Sequence, residues 1–426
     1  MKDYSGKKIL ILGATSETGK MVQQAVSMGV ETFVADPFED SPGKKFADHP
    51  ITIDCFDVDG LVRIVEENKI DGILPGCADI LIPTYLEVCK RTKKYCYVND
   101  KVVQALNNKH WFKVALQKHG LPVIGEYSKE QVEAEGFNCF PLFLKPTDNN
   151  SSKGMSIVYC FSEFEEAYRK ALSFSRSKTV LIEDYKTCDD FYVGYFVQNG
   201  KVGVAFTGDR FVISQPGVGS ITSAIVYPSK YSDLYYKTTH KKMLELFTEI
   251  GFRNGICAIQ GFVEDGKIMF YDPALRITGG QEYMLIKHFT GVDELASLVS
   301  FALTGKMGEE GQVEKCDSTY GGRIGCNLTF SCKCCTLGSI KGIEYARNHI
   351  GVLNITQEHK SGDVIDKLGT AQQNFARMHL FAESPEAMKN LIIDLQEHVI
   401  AYNDKGEESM VRGFNPEKWY SEKDVR

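Results

Sequence analysis

Three groups of residues in this chain have types and spacings that suit phosphate and carboxylate chemistry. The first is Lys145-Pro-Thr-Asp-Asn-Asn-Ser-Ser-Lys-Gly154, a lysine ending a short apolar run and followed by a small polar loop. A lysine there holds a point charge against phosphate oxygens. Ser151, Ser152 and Gly154 let backbone N–H groups fold over the same phosphates and exclude water. The second is Val180-Leu-Ile-Glu183-Asp-Tyr-Lys-Thr-Cys-Asp-Asp190, with two acids seven residues apart at a strand end. One suits an adenine amino group and the other ribose hydroxyls. The third is Gln260 and Asp272, twelve residues apart, with Arg276 just beyond. A hairpin turning at Asp265-Gly266 brings both oxygens toward a hard cation such as Mg²⁺, which keeps several waters and takes few protein ligands. Arg276 then lies a short step away, suited to a phosphoryl or carboxylate charge. Taken singly, the first two segments have bland alternatives: a surface turn at 147–153, solvated acids at 183 and 190.

The elements that must carry these groups alternate regularly. Lys8-Leu12, Glu31-Ala35 and Gly72-Pro75 read as strands. Lys20-Met28, Leu61-Asn68 and Ile80-Arg91 read as helices between and after them. That order predicts a parallel sheet wrapped by helices. A helix over Val102-His119 follows, stopped by Gly120 and Pro122. Strands at Leu142-Lys145, Ser156-Tyr159 and Thr179-Glu183, with a helix at Glu163-Ser173, predict a small α+β lobe. Phe191-Gln198 and Val202-Gly208 read as a hairpin through Asn199-Gly200, and Cys257-Glu264 and Lys267-Tyr271 as another through Asp265-Gly266. Tyr236-Ile250 and Leu295-Thr304 read as helices. Beyond them the rhythm changes, with strands at Gly325-Phe330 and His379-Ala382 and a helix at Pro385-Val399.

Bulk composition narrows the class. With 426 residues, 43% hydrophobic and 25% charged, the chain reads as a soluble enzyme of two to four domains. A net charge of -7 argues against a nucleic-acid partner. No export signal or membrane span is read, so a cytoplasmic protein with reduced thiols is expected. The one cysteine cluster, Cys326, Cys332, Cys334 and Cys335, lacks zinc spacing and nearby histidines and reads as strand residues. Gly13-Ala-Thr-Ser-Glu-Thr-Gly19 lies after a strand and before a helix, and Asp36 closes the next strand. A dinucleotide site is the sharp reading of that pair, but the spacing is not Gly-x-Gly-x-x-Gly.

In order, these motifs resemble the ATP-grasp superfamily, and within it the carbamoyl-phosphate-synthase-like and L-amino-acid-ligase-like members. The resemblance spans the whole chain. It implies an α/β and α+β multidomain fold: a Rossmann-like parallel-sheet pre-ATP-grasp domain (1–106), an ATP-grasp core (107–306) with a mobile small lobe near 143–205, and a small α+β C-terminal domain (307–426). Asn107-Asn-Lys109-His-Trp-Phe-Lys, followed by His119-Gly-Leu-Pro122, resembles the family's helix whose lysine reaches the nucleotide phosphates, which implies that role for Lys109. Lys145 to Gly154 is similar to the family's Lys-Pro-x-Asp-Gly-x-Gly-Ser-x-Gly loop. Glu183 and Asp190 fall at its adenine-side and ribose-side acids, and Asp184 and Tyr185 at its hinge. Gln260, Asp272 and Arg276 fall on its Glu…Glu-x-Asn-x-Arg set, which holds metal and substrate. Gly351-Val352, Lys360-Ser-Gly-Asp363 and Arg412-Gly-Phe414 resemble features of the ligase C-terminal domain. The departures are Asn149 and Ser151 for two loop glycines, Gln260 for the first metal glutamate and Ala274 for the metal asparagine.

The resemblance implies a Mg-ATP-dependent ligase (with Mn²⁺ as a substitute ion) that activates a carboxylate as an acyl phosphate for an amine or thiol. Lys109 and Lys145 are expected on the phosphates, Gln260 and Asp272 on the metal, and Arg276 on the carboxylate. Arg210 and Arg323 are further candidates for carboxylate binding. A homodimer acting on small molecules, with no nucleic acid or membrane partner, is the family habit. The rivals are phosphorylation of bicarbonate or carbamate, a biotin-dependent carboxylase, a nicotinamide-dependent reductase, and an ATP-sensing module without turnover.

Overall fold

The run Lys8–Leu12 is buried along nearly its whole length, as a strand covered on both faces must be. In the computed structural model, which describes residues 3–147, 154–215, 219–411 and 413–419, it pairs in parallel with Glu31–Asp36 and Gly72–Pro75. A short strand not foreseen, His49–Thr52, completes a four-stranded sheet. Gly72 is where a later helix closes on this sheet. A Cβ there would lie 2.5 Å from the carbonyl oxygen of Ala302, in the helix Glu294–Thr304.

The dinucleotide reading finds no room here. Asp36 Oδ2 accepts the Ala14 N–H at 3.0 Å, and Oδ1 accepts from Phe38 N–H and Ser41 Oγ. The 3-10 turn Pro42–Phe46 packs onto the loop after the first strand, where a Cβ on Gly43 would sit 2.9 Å from the Thr15 carbonyl.

The expected helix over Val102-His119 is two helices, Asp100–Leu106 and Lys109–Lys118. Asn108 causes the break, because its side chain accepts the N–H groups of His110 and Trp111 and caps a fresh helix. Lys109 therefore stands in a first turn. Tyr236-Ile250 is likewise split at Thr239, into Ser232–Thr238 and His240–Glu249.

Two antiparallel sheets follow. The smaller runs Glu126–Tyr127, Val180–Asp184, Leu142–Pro146, Ser156–Val158. Alternation sends Leu142 and Leu144 into a core with Phe164 and Ala167 of the helix Phe161–Phe174. Phe143 and Lys145 point the other way. This sheet spans Glu126 to Asp184, so it differs from the expected lobe of 143–205. The strand Asp189–Gln198 hydrogen-bonds to Gly255–Glu264 and Lys201–Gln215, which commits it to the larger sheet.

That larger sheet has eight strands, from Lys267–Ala274 at one edge to Val352–Gln357 at the other. Both hairpin turns form as read, with Asn199-Gly200 and Asp265-Gly266 at positive φ. The strand Lys201–Gln215 outruns its expected end at Gly208, and its partner Gly219–Tyr227 carried no legible signal. Ile324–Ser331 and Asn374–Ala382 join the same sheet, so hydrogen bonding continues across position 306. A three-stranded sheet and the helix Pro385–His398 cover the far end. Cys326 and Cys332 are buried there, and no metal-binding group of His, Cys, Asp or Glu occurs among the described residues.

Candidate active site

The cleft between the two sheets gathers the residues singled out by chemistry. Lys109, at the helix start freed by Asn108, reaches across to the larger sheet and pairs with Asp272 at 3.1 Å. Lys145, on the outward face of its strand, is 3% exposed and sits 2.5 Å from Glu183 Oε2. Its ammonium also lies 5.9 Å from the Tyr271 ring centroid of the opposite sheet.

A third cation was missed. Lys113 stands one turn after Lys109 on the same helix face and is 5% exposed. It donates to Glu183 Oε1 at 2.5 Å and approaches Glu126 at 3.2 Å. The four-residue spacing from Lys109 was the available signal. Glu183 was expected toward an adenine, but it is 1% exposed and takes one ammonium on each oxygen. Burial alone would raise its pKa. Lys145 and Lys113 outweigh that and hold the carboxyl below its ordinary value.

Asp190, expected toward a ribose, is also turned inward. It pairs with Arg210 and accepts from the Tyr271 hydroxyl at 3.1 Å. Here burial prevails over Arg210, and the carboxyl rises above its usual range. The acid that Arg210 meets in this structure is Asp190. Arg323 serves the backbone, donating to the Tyr320 carbonyl at 3.1 Å with its guanidinium over the Phe289 ring. At the hinge, Asp184 accepts from the Tyr127 hydroxyl at 2.8 Å, and the Tyr185 N–H donates to the Pro141 carbonyl. Gly154 has φ +76°, and a Cβ on it would lie 2.7 Å from Cβ of Phe174, so glycine is required. Ser151, Ser152, Asn149 and Arg412 lie outside the described residues.

Gln260 and Asp272 face each other as cross-strand partners. The Gln260 carbonyl oxygen accepts from Tyr271 at 3.0 Å, and the Asp272 side chain is 42% exposed to the cleft. Ala274 offers no donor. One carboxylate and one amide oxygen fit a divalent cation that arrives with a polyanion and keeps waters, and do not amount to a cage that holds it alone.

Arg276 occupies the far end of the cleft, where the parallel sheet meets the larger one. It donates to Asp79 Oδ2 from Nε at 3.0 Å and from Nη2 at 2.5 Å, and to the Ile277 carbonyl at 2.8 Å. Burial would lower its pKa, but Asp79 more than offsets this and raises it. Asp79 was not singled out from sequence, although it follows Gly72–Pro75 at the carboxyl end of a parallel sheet, where ligands bind. Downstream, the Gly279 carbonyl accepts from Arg377, and the Gly280 carbonyl from Asn327 and His379. The late strands therefore fix the loop that follows Arg276.

Chemically, the cleft offers three buried or half-buried ammonium groups for a polyanion, an acid at its edge for a cation, and a fixed guanidinium at its end. Residues 106–245 match the family model described as D-ala D-ala ligase C-terminus. A formate-dependent phosphoribosylglycinamide formyltransferase of Sulfurisphaera tokodaii is 23% identical over 312 residues, covering 68% of this chain and 73% of that protein. Matches to two Prochlorococcus marinus proteins of the same name span about half of their length, 48% and 49%. The fold matches that of an L-amino acid ligase from Bacillus licheniformis with TM-score 0.78 at 17% identity, covering 94% of this chain and 99% of that one. It also matches the biotin carboxylase domain dimer of a Hydrogenobacter thermophilus 2-oxoglutarate carboxylase in complex with MgADP and bicarbonate. That match has TM-score 0.73 at 15% identity over 95% and 91% of the two chains.

Proposed function

We propose that this chain is an ATP-grasp protein and, from that premise, that it is a Mg-ATP-dependent, ADP-forming ligase that joins a carboxylate to an amine through an acyl phosphate. The observation that carries the reading is the convergence of Lys109, Lys113 and Lys145 with Asp272 on one cleft, with Arg276 at its end. Lys109 and Lys145 neutralise the triphosphate, and Lys113 holds Glu183 in place between itself and Lys145. Asp272 and the Gln260 carbonyl would hold Mg²⁺, or Mn²⁺ in its place, which would supply positive charge to the phosphates when bound. Arg276 holds the carboxylate, a task that suits a permanently charged, planar cation. The carboxylate oxygen attacks the γ-phosphorus and ADP leaves. The neutral amine's lone pair then attacks the acyl carbon, the C–N bond forms, phosphate departs with the C–O electrons, and the nitrogen gives up one proton to the departing phosphate or to water. The small sheet closes over the nucleotide, because an acyl phosphate is lost to water unless water is kept out.

The relatives' names support an ATP-grasp ligase of small molecules, and the dimeric neighbour supports a homodimer. We place the enzyme in the cytoplasm. No helix among the described residues is long and apolar enough to cross a membrane.

The test is ADP release from Mg-ATP with pooled carboxylates and amines, for the native chain and Asp272→Ala. Substrate-dependent release that falls at least about 100-fold in the variant is expected. A second reading, a nucleotide-sensing module, is favoured specifically by Ala274. Nucleotide binding with no turnover on any pool would establish it in place of the ligase.

A further inference from the structure

The small sheet and the helix Phe161–Phe174 close a core of their own on Leu142, Leu144, Val158 and Phe164, separate from the core of the parallel sheet. A contact between two turns joins these bodies. Arg176, just past that helix, places its guanidinium 4.1 Å from the ring centroid of Phe56. Phe56 stands between the strand His49–Thr52 and the helix Val58–Glu67, at the carboxyl end of the parallel sheet. It is 40% exposed, so the packing around its own turn does not claim it.

Local chemistry prepares both sides. Asp54 shapes the Phe56 turn: its Oδ1 accepts the Phe56 N–H at 3.0 Å and its carbonyl the Asp57 N–H at 2.9 Å. Cys55, 3% exposed, anchors that turn to the sheet. The ring is thus flanked by Asp54 and Asp57, and the facing turn reads Arg176-Ser-Lys178. Opposite charges draw the turns together, and the ring face takes the guanidinium. Among the described residues Arg176 makes no ion pair. The Arg176 turn also grips the strand that carries Lys145. The Thr147 N–H donates to the Thr179 carbonyl at 3.3 Å, and Thr147 Oγ1 lies 3.3 Å from Ser177 Oγ. The Thr179 N–H donates to Ser175 Oγ at 3.1 Å and closes the turn on itself. Phe174 packs against Gly154. Residues 174–179 therefore touch the described residues on both sides of 148–153.

We propose that Arg176 and Phe56 are positioning residues: they clasp the small sheet to the parallel sheet and so set where Lys145 stands in the cleft. Neither touches the reacting atoms. The consequence for nucleotide binding rests on the ligase reading, whereas the clasp itself does not. A cation–π contact at a half-exposed site shifts an equilibrium by roughly two- to fivefold, which is the size of effect to look for.

Amide exchange read by mass spectrometry tests the clasp without any ligand, on the native chain, Phe56→Leu, Arg176→Gln and the double variant. Leucine keeps apolar bulk at an exposed position and removes the ring face, so the fold is retained. Phe56→Leu is expected to speed exchange at 175–179, across the contact, by roughly threefold, and Arg176→Gln to do the same at 54–58. The double variant should exceed neither single variant, because the one contact is lost only once. Phe56→Tyr, which keeps the ring face, should exchange at the native rate. Changes confined to the substituted turn, additive effects, or a tyrosine variant as fast as the leucine one would overturn the clasp. Calorimetry reads the positioning: both single variants should bind Mg-ATP roughly threefold more weakly, and Phe56→Tyr as the native chain does. Native affinity in both single variants would overturn the positioning role. A native chain that binds no Mg-ATP would overturn the ligase reading instead, while the exchange cycle still decides the clasp.

Discussion

Glu183→Gln isolates the central electrostatic device of the cleft. In the native chain one carboxylate, 1% exposed, lies 2.5 Å from each of two buried ammonium groups. The glutamine side chain fills the same space, so packing is retained while Lys113 and Lys145 lose their shared counter-charge. Removing one partner of a buried ion pair costs about 3–5 kcal/mol, because it leaves charge uncompensated. The cost falls on the strands Val180–Asp184 and Leu142–Pro146, which carry Glu183 and Lys145. At roughly 1.4 kcal/mol per decade, the lower bound speeds amide exchange in those strands by roughly 100-fold. Mg-ATP should reverse the effect, since its phosphates supply the missing negative charge and binding to the folded form stabilises it. Exchange measured by mass spectrometry with and without Mg-ATP reads both. Nucleotide-free exchange within threefold of native, or no recovery with nucleotide, would refute the reasoning. The acid limb follows from linkage. The folded Glu183 pKa is depressed, so its stabilisation is complete above the unfolded carboxylate pKa and is lost as pH falls through the folded value. Glu183→Gln should lack that component.

Asn108→Ala removes the cap that starts the lysine-bearing helix, and a loss of about 1 kcal/mol together with weaker nucleotide affinity is expected in thermal melts and calorimetry. His379 is buried with its pKa pushed down to about 4 from 6.5. The unfolded chain therefore binds the proton first as pH falls, so stability should drop by about 3 kcal/mol between about pH 6.5 and pH 4. His379→Gln, which retains a donor for the Gly280 carbonyl, should abolish that slope in denaturant titrations. Ala274→Asn adds an oxygen beside Asp272 and Gln260 and should lower the Mg²⁺ concentration needed for half-maximal nucleotide binding by about tenfold, read by calorimetry at fixed ATP.

What sequence reveals here divides along physical lines. Lys145, Gln260, Asp272 and both hairpins were legible because period-two alternation and Asn-Gly or Asp-Gly turns are local signals. Lys109 was placed through resemblance, but the break that positions it was read through, since helical periodicity on both sides of Asn107-Asn108 hides a cap. Asp79 and Lys113 went unnoticed for another reason. Each acquires its role from a partner nearly 200 or 70 residues away, and no local pattern encodes such a pairing. The inward turn of Glu183 and Asp190 is of the same kind. Their spacing was visible, whereas the cations that claim them, Lys113 and Arg210, come from other elements.

Those pairings share one logic. Along the cleft Lys109 meets Asp272, Lys113 and Lys145 meet Glu183, Arg210 meets Asp190, and Arg276 meets Asp79. Buried ion pairs are weak contributors to stability, because desolvation consumes most of the attraction. Such a row is better explained by exchange: each cation rests on an internal acid until an anionic ligand displaces it. Under the proposed function, the exchange at Lys109 couples two ligands. A triphosphate that draws Lys109 away releases the Asp272 carboxylate, the group meant for Mg²⁺. Metal affinity then rises only once nucleotide is bound, and by linkage the metal raises nucleotide affinity by the same factor. A chain with alanine at 274 and a neutral Gln260 has few ligands of its own, and this coupling lets one carboxylate suffice.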